Sequence, residues 1–231
     1  GLEFDLGIVV AYGQIIPEKI LKYGKFGFIN IHASILPKYR GAAPIQRSII
    51  NLDKISGVSI MKINKGLDAG PVCNTYKVQI NEKDNYSSLA TKLSDIAAKH
   101  INENINLIVS NKIKFFDQDH KISTYAKKIN KCEGKINWSD NAKYIEAKIR
   151  ALYPSPGVWF SFDNERYKIL KAKLSLKSGK PGLVLDDHLT IGCGINSLEI
   201  LDLQRQGKKP QKKIEFLLGS KIKKGIILNN G

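Results

Sequence analysis

From residue 6 to about residue 80, short runs rich in β-branched side chains alternate with amphipathic segments, and this alternation confines the chain to an α/β architecture. Residues 6–12 form a nearly continuous apolar run, the pattern of a strand buried on both faces, and Gly13 precedes a short helix expected to begin near Pro17. Residues 26–34 read as the next strand. After Gly41 a helix with Pro44 in its first turn runs through Ile45, Ile49 and Ile50, residues 57–64 return as a strand, and residues 73–80 form a more polar strand suited to a sheet edge. Leu89, Leu93, Ile96, Ile101, Ile105 and Ile108 recur at helical steps across residues 86–110, so one long helix should cover a face of the sheet. The expectation for residues 1–117 is part of an open parallel sheet with flanking helices, Rossmann-like in type.

Residues 111–138 lose this periodicity and mix Lys, Asp, Asn and Gly, which places a linker at 118–134. Residues 140–152 read as a helix stopped by Pro154-Ser155-Pro156-Gly157. Short runs at 158–162 and 167–173 flank an Asp163-Asn164-Glu165-Arg166 turn, and further runs follow at 182–185, 189–193 and 197–203. That spacing predicts a small C-terminal β-barrel, OB-like in type, over residues 135–231. Of 231 residues, 37 are Lys or Arg and 21 are Asp or Glu, a formal net charge of +16. Residues 1–117 hold 15 basic and 10 acidic residues, whereas 118–231 hold 22 and 11, so the second half is the expected contact for a polyanion. A lysine-rich composition with no bearing on partners is the competing reading. Cys73, Cys132 and Cys193 are far apart, a pattern of neither a disulfide framework nor a zinc site. No run is long enough to span a membrane and residues 1–5 lack a basic leader, so a cytoplasmic location is expected.

The densest segment runs from Gly27 to Pro44 as Gly-Phe-Ile-Asn-Ile-His-Ala-Ser-Ile-Leu-Pro-Lys-Tyr-Arg-Gly-Ala-Ala-Pro. In a strand, Asn30 and His32 point to one face and Ile29 and Ile31 to the other. An amide and an imidazole sharing the end of a strand in an open α/β sheet suit carbonyl chemistry, since both donate to a developing oxyanion and imidazole shuttles protons near neutral pH. A second segment, Met61-Lys62-Ile63-Asn64-Lys65-Gly66-Leu67-Asp68-Ala69-Gly70-Pro71-Val72, frames Asp68 with Gly and Pro. If it follows a parallel strand, such a loop carries its carboxylate to a neighbouring strand end, where it orients the imidazole. Spacing leaves the plainer readings open: a strand histidine that is only a core residue, and an aspartate that only makes a turn.

These two segments resemble the signature of the 10-formyltetrahydrofolate-dependent formyltransferases: Asn-x-His, then Ser-x-Leu-Pro, then Leu-Asp-x-Gly-Pro. The resemblance implies that Asn30, His32 and Asp68 are catalytic, that Ser34, Ile35, Leu36 and Pro37 form a folate-contacting turn, and that Val10, Ala11, Tyr12 and Gly13 border the pterin. The co-substrate implied is 10-formyltetrahydrofolate, with no metal. Arg40-Gly41-Ala42-Ala43-Pro44-Ile45-Gln46 and the stretches 135–139 and 149–157 are more similar to members that formylate methionyl-tRNA than to those acting on glycinamide ribonucleotide. The implied partner is therefore initiator methionyl-tRNA, met by a basic second domain through pairs such as Lys208-Lys209 and Lys212-Lys213, with the protein acting as a monomer and away from membranes. Formyl transfer to a nucleotide-linked amino sugar, or a tRNA-binding fragment without activity, are the alternatives. Family members begin with a Gly-rich β-α-β unit that has no counterpart before Leu6, so an N-terminal portion is expected to be missing. His100, His120 and His188 have no comparable neighbours in sequence and are read as surface or packing residues.

Overall fold

A computed structural model of the protein describes residues 3–14 and 16–228; the expected outer domain limits at 1 and 231 lie outside them. Two compact units are present: the first comprises residues up to Ser48, Asp53–Asp84 and Ser88–Lys128, and the second comprises Ile49–Leu52, Asn85–Ser87 and residues from Ile129 onward.

The first unit is built on a four-stranded sheet of order β1-β2-β3-β4, from β1 (Gly7–Val10), β2 (Phe28–His32), β3 (Ile55–Lys62) and β4 (Val72–Gln79). β1 and β2 are parallel, joined through the short helix α1 (Glu18–Leu21), and this is the α/β crossover expected from the sequence. β3 departs from the parallel arrangement: it runs antiparallel to β2, with Asn30 opposite Met61 and His32 opposite Ser59, and β4 runs antiparallel to β3. Nor is β1 buried on both faces. Among the described residues it is the outermost strand of the sheet, and Ile8 and Val10 are 45% and 60% exposed.

Helix α2 (Pro44–Ile50) connects β2 to β3, starting with a proline whose missing N–H costs nothing in a first turn. Helix α3 (Tyr86–Val109) buries Leu89, Leu93 and Ile108, the last in a cluster with Ile29 and Ile60. It ends in a Schellman motif. Asn111 takes a left-handed φ of +54°, its N–H donates to the Ile108 carbonyl, and that of Lys112 donates to the Leu107 carbonyl. One buried residue of α3 is polar: Asn104 accepts from Asn74 Nδ2 at 2.7 Å and donates to Tyr76 Oη at 2.7 Å and to the His100 carbonyl at 2.8 Å. The rings of Tyr76 and His100 stack at 4.0 Å beside it. These bonds pin α3 to β4 at one register, because sliding the helix would strand polar groups at about 1–3 kcal/mol each.

The segment expected as a linker is partly built into this unit. Val72 and Phe116 exchange backbone hydrogen bonds of 2.9 Å in both directions. The Arg40 N–H donates to the Thr124 carbonyl at 2.8 Å and the Ala126 N–H donates to the Arg40 carbonyl at 2.7 Å, while Gln118 and Ala126 are buried.

In the second unit, helix α4 (Ala142–Leu152) is capped by Asn141, whose side chain accepts from the Lys143 N–H, and it buries Ile145, Ile149 and Leu152. The expected barrel takes the form of a five-stranded antiparallel sheet, order β5-β6-β8-β7 with β9 also on β8: β5 (Val158–Phe162), β6 (Glu165–Ser175), β7 (Thr190–Gly192), β8 (Ser197–Arg205) and β9 (Gln211–Lys212). β6 is bulged between Ile169 and Ala172, which bends the sheet. The β5–β6 turn is shorter than the sequence suggests. Only Asp163 and Asn164 lie in it, both at positive φ as a two-residue hairpin turn requires, and Glu165 already pairs with Phe162. Residues 182–185 make isolated bridges from Leu183 to Ile227 and from Val184 to Ile191 rather than a strand. β9 and the following helix α5 (Lys213–Gly219) have no counterpart in the sequence reading, because a two-residue strand and a helix burying only Phe216 leave no periodic signal. Trp138, Phe160, Tyr167 and Phe216 form a row of aromatic contacts through the core, with centroids 5.4 to 5.9 Å apart.

Before β7, Asp186 closes a turn by accepting the N–H groups of His188 at 2.9 Å and Thr190 at 3.1 Å, and it pairs with Lys177. Burial opposes its charge, but the Lys177 ammonium and these donors outweigh burial and hold the carboxyl down at about 2. A carboxyl lowered on folding stabilises the fold above its unfolded value near ~3.9, and that contribution, about 2 kcal/mol, is lost as pH falls toward the folded value. Asp186→Asn keeps the turn acceptor but not the charge. It should lower the unfolding free energy by about 1–2 kcal/mol at pH 7, with the difference from the parent narrowing below about pH 4 and closing near about pH 2 in urea titrations.

Candidate active site

Strand β2 delivers Asn30 and His32 to one face, as its alternation requires, and both meet Asp68 there. Asn30 Nδ2 donates to Asp68 Oδ1 at 3.3 Å, and His32 Nδ1 lies 3.6 Å from Asp68 Oδ2. The other ring nitrogen, Nε2, is 2.8 Å from the Tyr39 carbonyl. A carbonyl only accepts, so Nε2 carries the hydrogen and Nδ1 is the nitrogen turned toward Asp68. His32 is 6% exposed.

Asp68 reaches this point on the β3–β4 hairpin loop, not on a loop after a parallel strand. The loop folds back over the sheet because Lys62 N–H already donates to the Pro71 carbonyl at its base. Asn64 Oδ1 accepts the Gly66 N–H at 3.0 Å inside it, an Asx turn. Asp68 itself adopts a left-handed φ of +45°, a conformation that Asp tolerates better than most residues. At Gly70 the backbone passes so close to β3 that a Cβ would stand 1.9 Å from the Lys62 carbonyl oxygen. The Asp68 carboxylate is fixed from a third direction by the Gly41 N–H, which donates to Oδ2 at 2.8 Å.

The turn after β2 is internally bonded. Ser34 Oγ donates to the Lys38 carbonyl at 2.6 Å, Ser59 Oγ donates to the Ser34 carbonyl at 2.8 Å, and the Leu36 N–H donates to Ser59 Oγ at 3.1 Å. Ser34 and Leu36 are buried, whereas Ile35 and Pro37 keep partial exposure. Leu36 and Pro37 also line a cavity of about 320 Å³ with residues 72–75 and 116–119, which none of Asn30, His32 and Asp68 lines. Cys73 also lines this cavity while packing against the Ile29, Ile60 and Ile108 cluster, and burial pushes its thiol above the usual range. Val10, Ala11, Tyr12 and Gly13 lie at and beyond the end of β1, where Val9 pairs with Asn30 and Val10 with Ile31. All four are exposed, with Ala11 and Gly13 at positive φ. The parallel pair thus opens its two C-terminal ends on one side.

One feature of the site carries no sequence signal of its own. Gln118, from the segment read as linker, donates through Nε2 to the carbonyls of Asp68 at 2.9 Å and Gly70 at 2.6 Å. Its Oε1 accepts Arg40 Nε at 3.0 Å and Nη2 at 2.7 Å. In the second unit, Arg205, Lys208, Lys209 and Gln211 line a cavity of about 380 Å³. Arg205 is bonded to Glu165, Lys212 to Asp202 at 2.8 Å, and Lys213 to Glu199. Lys208 and Lys209 have no acidic partner among the described residues, so the four lysines singled out in the sequence are not equivalent. Among the described residues no helix is long and apolar enough to cross a membrane.

Residues 1–105 match the family model described as formyl transferase, and residues 128–221 match the formyl transferase C-terminal domain. A methionyl-tRNA formyltransferase of Pelagibacter ubique is 56% identical over 230 residues, spanning 99% of this chain and 74% of that relative. The methionyl-tRNA formyltransferase structure from Clostridium thermocellum shares the fold, with a TM-score of 0.57 at 19% identity over 73% of this chain and 72% of its own. An N-formyltransferase from Helicobacter canadensis, solved with folinic acid and dTDP-3-aminofucose, is 26% identical with a TM-score of 0.61, covering 74% of this chain and 65% of its own. With both family models matched in chain order and that degree of identity along almost the whole sequence, this chain belongs to the methionyl-tRNA formyltransferase family.

Proposed function

We propose that this chain transfers the formyl group of 10-formyltetrahydrofolate to the α-amino group of methionine esterified to initiator tRNA, as a cytoplasmic monomer. Family membership supports the reaction, and the convergence of Asn30, His32 and Asp68 is the observation that carries the site. The first unit supplies the chemistry, and residues 135–231 supply the main contact with tRNA.

The amine nitrogen attacks the formyl carbon, the carbonyl π pair moves onto oxygen, and a tetrahedral oxyanion forms. Asn30 Nδ2 is one donor to that oxygen. Because Tyr39 holds His32 Nε2, an Nδ1 proton is the other, with Nδ1 3.6 Å from Asp68 Oδ2. The 3.6 Å between Nδ1 and Oδ2 accommodates either direct contact on closure or a bridging water. That water relays the proton lost by the amine to N10 of the folate as the bond from carbon to N10 breaks and the oxyanion collapses to the product amide. The folate lies against Val10, Ala11, Tyr12 and Gly13 and against the 34–37 turn. There Ile35 and Pro37 offer apolar surface, while the Ser34 hydroxyl is committed to Lys38.

His32→Ala should lower kcat/KM for methionyl-tRNA by about 10²- to 10³-fold, as expected for loss of one oxyanion donor, with little change in KM. A variant within about threefold of the parent would falsify the donor role. Efficient formylation of a nucleotide-linked amino sugar with none of methionyl-tRNA would overturn the choice of acceptor.

For the tRNA contact, the ion pairs separate the lysines. Replacing Lys208 and Lys209 with Ala should weaken binding of methionyl-tRNA and reduce the slope of log K against log salt by about 1–2. Replacing Lys212 and Lys213, whose charges are already countered by Asp202 and Glu199, should reduce it by less. Equal effects, or none from Lys208 and Lys209, would remove this surface from the interface.

A further inference from the structure

The Asp68 carboxylate has Asn30 and Gly41 as hydrogen-bond partners, but its backbone lies in a left-handed loop outside any helix or strand. A catalytic carboxylate displaced by 1 Å loses much of its effect, so something must hold that main chain. The geometry points to Gln118 as a positioning residue for Asp68, itself held by the buried guanidinium of Arg40. This rests on the reading of Asp68 as catalytic.

A primary amide offers two hydrogens and two lone pairs. Gln118 commits all four here. Both Nε2 hydrogens clasp the carbonyls of Asp68 and Gly70 on the two sides of the turn, and Oε1 takes two donors from Arg40. Arg40 is 2% exposed and Gln118 8%. Buried arginines ordinarily pair with a carboxylate, because an uncompensated charge is costly in low dielectric. Among the described residues Arg40 has none. It donates to Gln118 Oε1 and lies 3.1 Å from His120 Nδ1 instead. A cation held this way polarises the amide, which strengthens the two bonds that Gln118 donates to the loop. The next residue, Gly41, bonds the Asp68 carboxylate directly, so the Arg40-Gly41 dipeptide fixes Asp68 at both ends: the side chain through Gly41 N–H and the main chain through Gln118. Phe116, two residues before Gln118, is anchored by its paired bonds to Val72.

Gln118→Met would also strip Arg40 of its acceptor and destabilise the fold. Gln118→Glu is the informative change: its carboxylate still accepts from Arg40, and better, but an ionised carboxylate has no hydrogen to give to the Asp68 and Gly70 carbonyls. The variant should melt no lower than the parent by more than a few degrees. Its kcat should fall about 10- to 100-fold, the usual effect of losing a group that orients a functional one, with KM for methionyl-tRNA within about twofold. In an Asp68→Asn background the same change should cost less than about threefold more, because a clamp acting through Asp68 has nothing left to position. A parent-like kcat in Gln118→Glu, or the full loss repeated in the Asp68→Asn background, would overturn the inference while leaving Asp68 as assigned. Parent-like activity in Asp68→Asn alone would overturn both.

Discussion

A carboxylate held over the end of a strand by one backbone N–H is the constraint on which the first unit turns. Asp68 is drawn to Gly41 at 2.8 Å, and the carboxylate then sits between Asn30 and His32. Satisfying it requires β3 and β4 to form a hairpin whose loop doubles back, and requires the chain after β2 to bring Gly41 around to the same spot. The pairing of residues 124–126 with 39–43 follows: Thr124 Oγ1 accepts the Tyr39 N–H at 2.9 Å, and the Ala126 carbonyl accepts the Ala43 N–H at 3.1 Å. This brace also fixes the Tyr39 carbonyl that sets the His32 tautomer. Four stretches distant in sequence therefore stabilise one another through a single anion.

The two units solve burial differently. The first accepts buried polar groups, with Asn104 bonded to Asn74, Tyr76 and His100, and Arg40 bonded to Gln118, and each array has its donors and acceptors matched. Such arrays add little net stability, on the order of 1 kcal/mol per bond, but they penalise every alternative register. The second unit relies on apolar burial around Trp138, Phe160, Tyr167 and Phe216, where shape and area matter more than direction. Directional bonds accompany the unit that must hold reacting groups to tenths of an ångström.

What can be read from sequence follows the range of each interaction. The placement of Asn30 and His32 on one face is set by a period of two and needs no tertiary knowledge, and the Gly and Pro residues around Asp68 announce a turn. Strand direction is not local. The segment from residue 55 to residue 62 carries the same β-branched pattern whether it runs parallel or antiparallel to β2, so the parallel sense expected for β3 is corrected only by its pairing. The apolar run at residues 6–12 specifies a strand, but which strand it pairs with, β2 in parallel, is set by neighbours the run itself does not specify. Gln118 is hidden for a related reason: an amide in a polar, aperiodic stretch looks like any linker residue, and its meaning arises only when residues 68, 70 and 40 surround it.

The hairpin that carries Asp68 closes on a position where side-chain size, not chemistry, decides. Every amino acid other than glycine brings a Cβ, and at position 70 that atom would fall 1.9 Å from a carbonyl oxygen of β3. Every substitution at that position brings the same atom against the same backbone oxygen, so none of them is conservative for the hairpin. The delivery of a catalytic carboxylate thus depends on a missing atom two residues away from it, where the hairpin closes.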